Sequence, residues 1–204
     1  MDWKTFVLAS NNEHKLAEFR RIFERIGLTV LSQKEAGVAA DPEENGTTFA
    51  ENAMIKARAV FDLCKLPTVA DDSGLCVDAL DGAPGIYSAR FGGFEKDEDH
   101  RRLLLEKMNG LPMERRTACF TTVIACVLPD GGAFTVEGKC PGRIALRESG
   151  ENGFGYDSLF LPAGQDGKTF ADLSPELKNS ISHRARALTA FAAAIKERKR
   201  SEIK

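Results

Sequence analysis

The chain has 204 residues, 43% of them hydrophobic and 28% charged, with 28 Lys+Arg against 30 Asp+Glu and a formal net charge of -2. That composition supplies a packed core and excludes a disordered or collagen-like chain. The near balance of charge gives no electrostatic reason to expect nucleic-acid binding, and no apolar run approaches the roughly 18 residues of a membrane span. The opening Met1-Asp2-Trp3-Lys4 leads into a short apolar run without a signal-peptide pattern. Cys64, Cys76, Cys119, Cys126 and Cys140 form no CxxC pair. Most sit in apolar surroundings, which predicts buried thiols rather than disulfides or a zinc site, and a reducing cytoplasm as the compartment.

In chain order, Thr5-Phe6-Val7-Leu8-Ala9 reads as a buried strand. After Ser10-Asn11-Asn12, the residues Leu16, Phe19, Ile22, Phe23 and Ile26 fall at helical spacing, and Gly27 stops that helix. Thr29-Val30-Leu31 is a second strand, and Glu35 to Gly46 a loop. Thr48-Phe49-Ala50-Glu51 matches a capping box opening a helix to about Cys64. Pro67 to Ala70 predicts a strand ending at Asp71-Asp72-Ser73-Gly74, and the Gly- and Pro-rich stretch from Leu80 to Gly93 an ordered loop. Asp99 to Met108 reads as a helix. Thr117 to Leu128 and Ala133 to Gly138 flank Pro129-Asp130-Gly131-Gly132 as a hairpin. Gly150 to Gly155 is a glycine-bearing loop, Ser158 to Leu161 a strand, and Ser182 the cap of a last helix that turns Ala185, Leu188, Phe191, Ala192 and Ile195 inward. The charged tail from Lys196 to Lys204 is expected to be solvated or frayed. Strand–helix alternation followed by a long hairpin predicts an α/β protein with a mixed sheet, one domain over residues 1–204, as one unit or as two lobes with a cleft.

Four segments carry chemistry. Ser10-Asn11-Asn12-Glu13-His14-Lys15 lies at a strand-to-helix junction, where unpaired N–H groups suit a phosphate, or where the polar residues simply cap the helix. Neither GxxxxGK[ST] nor GxGxxG occurs. Asp71-Asp72 at a strand end predicts two carboxylates relieved by a divalent ion such as magnesium, or else a turn cap with a solvated neighbour. The loop residues Glu43 and Glu44 offer a further oxygen. Gly153-Phe154-Gly155-Tyr156-Asp157 sets aromatics beside a carboxylate, able to stack on a base or to plug a core edge. Lys178, Ser182, His183 and Arg184 gather donors near the last helix. His14, His100 and His183 are scattered, so a histidine zinc site is not expected. Phosphate donors, a carboxylate metal site, a stacking loop and base-edge donors together fit a nucleoside polyphosphate.

These residues resemble the inosine/xanthosine triphosphate pyrophosphatase family. The resemblance is carried by Ser10-x-Asn12-x-x-Lys15, Thr48-Phe49-x-Glu51-Asn52-Ala53-x-x-Lys56-Ala57 and Ala70-Asp71-Asp72-Ser73-Gly74-Leu75. It continues through Gly82-Ala83-Pro84-Gly85-Ile86-Tyr87-Ser88-Ala89-Arg90-Phe91, Gly153-Phe154-Gly155-Tyr156-Asp157 and Ser182-His183-Arg184, so it covers nearly the whole chain. It implies hydrolysis of ITP, dITP and XTP to the monophosphate and pyrophosphate. It also implies an elongated mixed α/β fold with two lobes around a central substrate cleft, a magnesium requirement and a homodimer. The alternatives are a pyrophosphatase for another modified triphosphate and a non-catalytic nucleotide-binding module.

Residue by residue, the resemblance implies that Asp72 is the general base and a metal-associated carboxylate. Glu44 matches a metal-linked glutamate, with Glu43 as the alternative one position away. Ser10, Asn12, Lys15 and Lys56 match triphosphate-side positions, with Asn11, Glu13 and His14 in the same segment. Ser73, Phe154, Asp157, Lys178, His183 and Arg184 match substrate-binding positions, with Gly155 and Tyr156 among them.

Overall fold

The computed structural model describes residues 3–201, with the side chains of residues 199 and 201 left out. Six strands form one sheet in the order β2-β1-β3-β4-β5-β6: β1 (Thr5–Leu8), β2 (Thr29–Ser32), β3 (Thr68–Val77), β4 (Thr117–Val127), β5 (Ala133–Ile144) and β6 (Phe160–Pro162). β1 runs parallel to β2, with Phe6 opposite Val30, and parallel to β3, with Val7 opposite Thr68; β5 and β6 are antiparallel. The helices are α1 (Glu13–Arg25), α2 (Phe49–Cys64), α3 (Asp97–Lys107), α4 (Pro175–Ile181) and α5 (His183–Ser201). The predicted α/β class with a mixed sheet and flanking helices is the fold observed.

The chain divides into two compact units. The described residues of 1–72, 122–138 and 185–204 make the first, and residues 73–121 and 139–184 the second. In the first, β1 is apolar on both faces, as a helix-covered parallel strand must be. Phe6 and Leu8 join Phe19 and Phe23 of α1 and Phe191 of α5. Val7 and Ala9 join Ala53, Ala57 and Val60 of α2. Phe23 stacks on Phe191 at 5.4 Å and meets Phe6 edge-on at 5.7 Å, the geometries that ring quadrupoles favour. The core of the second unit gathers Leu75, Val77, Leu104, Phe120, Phe160 and Phe170.

Several expectations need correction. β3 does not stop at Asp71; it continues to Val77, because Leu75 and Val77 bury one side of the strand and both carboxylates are matched by lysines. β5 outruns Gly138 to reach Ile144, held there by its pairing with β6. The capping box is half formed. Thr48 accepts the Glu51 amide at 3.1 Å, but the Glu51 carboxylate reaches back to the amide and hydroxyl of Thr47. α4 has no counterpart in the sequence reading, although Ser174 caps it and Pro175 stands at its first position, as the rules of helix entry favour. The Leu80–Gly93 stretch is ordered as 3-10 turns, with Ser88 Oγ donating to the Gly85 carbonyl at 2.6 Å. The tail continues as helix to Ser201; the rest of that expectation, residues 202–204, lies outside the described residues.

Candidate active site

Asp71 and Asp72 are consecutive in an extended strand, so their side chains leave on opposite faces. They do not crowd each other, and each is relieved by its own lysine. Asp71 turns toward α1 and pairs with Lys15 at 3.1 Å, while Asp72 turns toward α2 and pairs with Lys56 at 2.9 Å. Both carboxylates are buried. α2 presents Asn52 and Lys56, one turn apart, on a single face. Asn52 Nδ2 is 3.4 Å from Asp72 Oδ2, and Asn52 Oδ1 accepts the Gly46 amide at 2.8 Å. Glu44 reaches the same lysine, its Oε1 standing 3.2 Å from Lys56 Nζ.

The electrostatics follow from that crowding. Burial pushes the Asp72 carboxyl above the usual carboxylate range, with the charge of Glu44 adding to the shift and those of Lys56 and Lys15 opposing it. Burial works against the Lys56 ammonium, but Asp72, Asp71 and Glu44 outweigh it and hold Lys56 above the ordinary lysine value. Two carboxylates converging on one ammonium are hard oxygen donors set around a positive charge, which a divalent cation fits. Among the described residues no three or more His, Cys, Asp or Glu gather to hold an ion by themselves. The donor set therefore suits a cation that takes its remaining ligands from phosphate and water, as magnesium does.

The Ser10–Lys15 segment sits where expected, between β1 and α1. Asn12 is the N-cap: its Oδ1 accepts the Lys15 amide at 3.1 Å, and its own amide donates to Ser10 Oγ at 3.2 Å. The capping reading thus holds alongside the Lys15–Asp71 ion pair. Asn11 Oδ1 accepts from Gln33 Nε2 at 3.2 Å, while Glu13 and His14 are exposed in the first turn of α1. Glu43 is exposed, and of the two glutamates Glu44 is the one paired with Lys56.

In the second unit, Asp157 organises the glycine loop. Its Oδ2 accepts from the Phe154 amide at 2.9 Å and from Lys178 Nζ at 2.7 Å. Lys178 Nζ also lies 5.0 Å from the centre of the Phe154 ring, a cation–π contact. Gly153 has φ +82°, and a Cβ there would overlap the Asp157 carboxylate, so only glycine permits this loop. The Gly155 amide donates to Asp97 and its carbonyl accepts from Arg101. The Tyr156 hydroxyl is buried and donates to the Ser88 carbonyl at 3.0 Å; burial raises its pKa. A concavity of about 160 Å³ runs along Gly153, Phe154, Gly155 and Asp157. The His183 ring lies on Phe120 at 4.6 Å and 11°, and Arg184 Nη2 donates to Ser73 Oγ at 3.3 Å. A larger hollow of about 590 Å³, between Ile26, Leu28, Ala193 and Ile195 in the first unit, involves none of the candidate site residues.

Two participants escape the sequence reading as site residues. Asp71 enters the sequence reading only as Asp72's neighbour at a carboxylate pair, whereas the strand period of two separates them and gives Asp71 to Lys15. Asn52 is fully buried in a helix face otherwise lined by Ala53, Ala57 and Val60. A polar residue in register with Lys56 on a buried face is the signal that would have found it.

The sheet and its flanking helices define an α/β protein with a buried carboxylate–lysine cluster. The chain belongs to the Ham1 family, whose model matches residues 6–194. It is 48% identical over 189 residues to a dITP/XTP pyrophosphatase from Geobacillus kaustophilus, covering 91% of each chain, and 47% identical over 187 residues to one from Leifsonia xyli, covering 91% of this chain and 92% of that one. Among solved structures it resembles the Staphylococcus aureus Ham1 protein, with TM-score 0.85 and 40% identity over 96% of this chain and 100% of that one. A nucleoside-triphosphatase, dITP/XTP pyrophosphatase, from Mycobacterium abscessus matches with TM-score 0.75 and 43% identity over 92% of this chain and 98% of that one.

Proposed function

We propose that the chain hydrolyses the non-standard purine nucleoside triphosphates ITP, dITP and XTP to the nucleoside monophosphate and pyrophosphate. The observation that carries this reading is the convergence of Glu44 and Asp72 on Lys56. Carboxylates placed for a cation surround an ammonium that a phosphate can claim. The activity in the names of the relatives supplies the substrate class.

Asp72 takes the proton of the water that attacks the α-phosphorus, and its raised pKa makes it a stronger base than an ordinary carboxylate. Lys15 and Lys56, with the hydroxyl and amides of Ser10 to Lys15, offset the charge that grows on the departing pyrophosphate. Glu44 and Asp72 would hold magnesium, which would supply charge neutralisation on the phosphates. Phe154 stacks on the base, with Lys178 and Asp157 fixing its loop. Arg184, positioned against Ser73, donates to the oxygen at purine position 6, where adenine carries an amino group instead. A buried donor left unpaired by adenine discriminates strongly. The reading includes a homodimer acting in the cytoplasm as a single domain over 1–204, with small-molecule triphosphates rather than nucleic acid or membrane as its partner. No helix among the described residues is long and apolar enough to cross a membrane.

The test is pyrophosphate release from ITP, XTP, GTP, ATP and dUTP, with magnesium and with chelator. Release from ITP and XTP, lost with chelator, is the expected result. Release from dUTP alone moves the reading to modified pyrimidines, and binding of ITP without release reduces the chain to a nucleotide-binding module.

A further inference from the structure

The second unit holds three thiols that the proposed reaction does not use, and two of them, Cys76 and Cys119, lie on neighbouring strands. Leu75 and Val77 of β3, and Ala118 and Phe120 of β4, all enter one core. With the strand period of two, Cys76 and Cys119 project from the opposite face, where both are half-buried. β3 and β4 are neighbours in the sheet. Thr117, the first residue of β4, donates through Oγ1 to Asp78 Oδ2 at 2.6 Å, and Asp78 directly follows the last residue of β3. The start of β4 therefore lies beside the end of β3, and the two strands run antiparallel. A register that sets Thr117 opposite Asp78 brings Cys119 opposite Cys76, two residues inward on each strand. Residues opposite one another in an antiparallel pair have Cα atoms about 4.5–5.5 Å apart, within the roughly 4.4–6.8 Å that a disulfide spans. The Cys76 thiol is pushed up by burial and, next, by Cys119 itself, while the Thr121 hydroxyl bonds to it and opposes the shift.

We propose that Cys76 and Cys119 form a cross-strand dithiol site that closes to an intramolecular disulfide by exchange with a low-molecular-weight disulfide. One cysteine thiolate attacks the reagent RSSR, forming a protein–SR mixed disulfide and expelling RS⁻, which takes up a proton. The second cysteine, as thiolate, attacks the protein sulfur of that mixed disulfide; the Cys76–Cys119 bond forms and the second RSH leaves. The two protein thiols lose two electrons and the reagent gains them as two thiols. Cys76 is held largely as the thiol at neutral pH, so closure accelerates as pH rises and thiolate appears. Cys126 and Cys140 are buried and less open to the reagent, and half-buried Cys64 is removed by Cys64→Ser in every protein compared in the test.

The full chain is incubated with oxidised glutathione near pH 8 and mapped by mass spectrometry without reduction. The expected product is a monomer lighter by two hydrogens, with one linked peptide pair containing Cys76 and Cys119, reversed by dithiothreitol. Cys76→Ser and Cys119→Ser, each folded by circular dichroism, retain one glutathionyl group instead and never lose the two hydrogens. Phenylarsine oxide, which bridges neighbouring thiols, binds one per chain that keeps both cysteines and at least about ten-fold more weakly to either variant, because one thiol cannot chelate it. Separate glutathionylation of both cysteines without linkage overturns the proposal. So does linkage of either to another cysteine or another chain, failure to react, or undiminished arsenical binding in the variants.

Discussion

Lys56 Nζ stands 2.9 Å from Asp72 Oδ1 in the middle of β3, not beyond its end. A carboxylate within a regular strand is a costly placement, and Asp72 bears the mark of it in a pKa above the carboxylate range. The strand fixes where Asp72 points and the lysine keeps it charged. The general base proposed at Asp72 needs both. Stability is spent here on position, as at many catalytic sites.

Asp72→Asn separates the two effects. The amide removes the base, so pyrophosphate release from ITP should fall by about 10² to 10⁴. Because the native carboxyl has a raised pKa, its ionised form costs folding free energy at neutral pH, and the neutral amide relieves that cost. Lys56 keeps Glu44 at 3.2 Å. The midpoint of thermal unfolding should therefore hold or rise while turnover collapses. Near-normal turnover, or a collapse of both together, would refute the assignment.

Lys56→Met tests the cation site from the other side. Without the ammonium, Glu44 and Asp72 are left facing each other, and Lys56 is only 14% exposed. The loss of the pair should destabilise the chain by about 2 kcal/mol, below the full cost of a wholly buried pair because part of the side chain reaches water. Magnesium can stand in for the missing charge. Urea unfolding with and without magnesium should show the ion stabilising this variant more than the wild type. Equal stabilisation of the two would place the ion elsewhere.

What the sequence revealed and what it hid divide along physical lines. Local chemistry is readable: Asn12 as a helix cap, and the turn at Pro129 to Gly132, where Leu128 and Gly132 bond at 2.8 Å. The end of β3 is not legible, because polar residues look like a terminus until their partners, far off in sequence on α1 and α2, are known. Burial was equally hidden. Arg184 is only 3% exposed, and His183 lies flat against Phe120. Replacing Arg184 by Ala thus disturbs packing as well as the proposed recognition, which makes Ser73→Ala the cleaner probe of the ITP/ATP preference. Tyr156 reads as a loop aromatic, yet its hydroxyl is committed to the Ser88 carbonyl.

Gly153→Ala addresses the base end. A methyl at φ +82° is strained and overlaps the Asp157 carboxylate that accepts from Lys178 and the Phe154 amide. A cost of about 1–3 kcal/mol is expected from the backbone alone, with KM for ITP raised more than kcat is lowered. Steady-state kinetics beside unfolding curves decide the matter, and an unchanged KM would remove this loop from substrate binding.

Cys126 gives the fold an alkaline limit. Burial pushes its thiol from an ordinary value of 9.0 up to about 12. The folded state therefore keeps the proton that the unfolded chain gives up first. Stability from this group is whole below pH 9 and is lost as pH climbs toward 12, at about 1.4 kcal/mol per pH unit. Cys126→Ala lowers the baseline by leaving a small void but removes this slope. Urea unfolding of both proteins at steps from pH 8 to about pH 10.5 should show the gap between them narrowing as pH rises. A constant gap would mean that the unfolded chain and the folded one hold this proton alike.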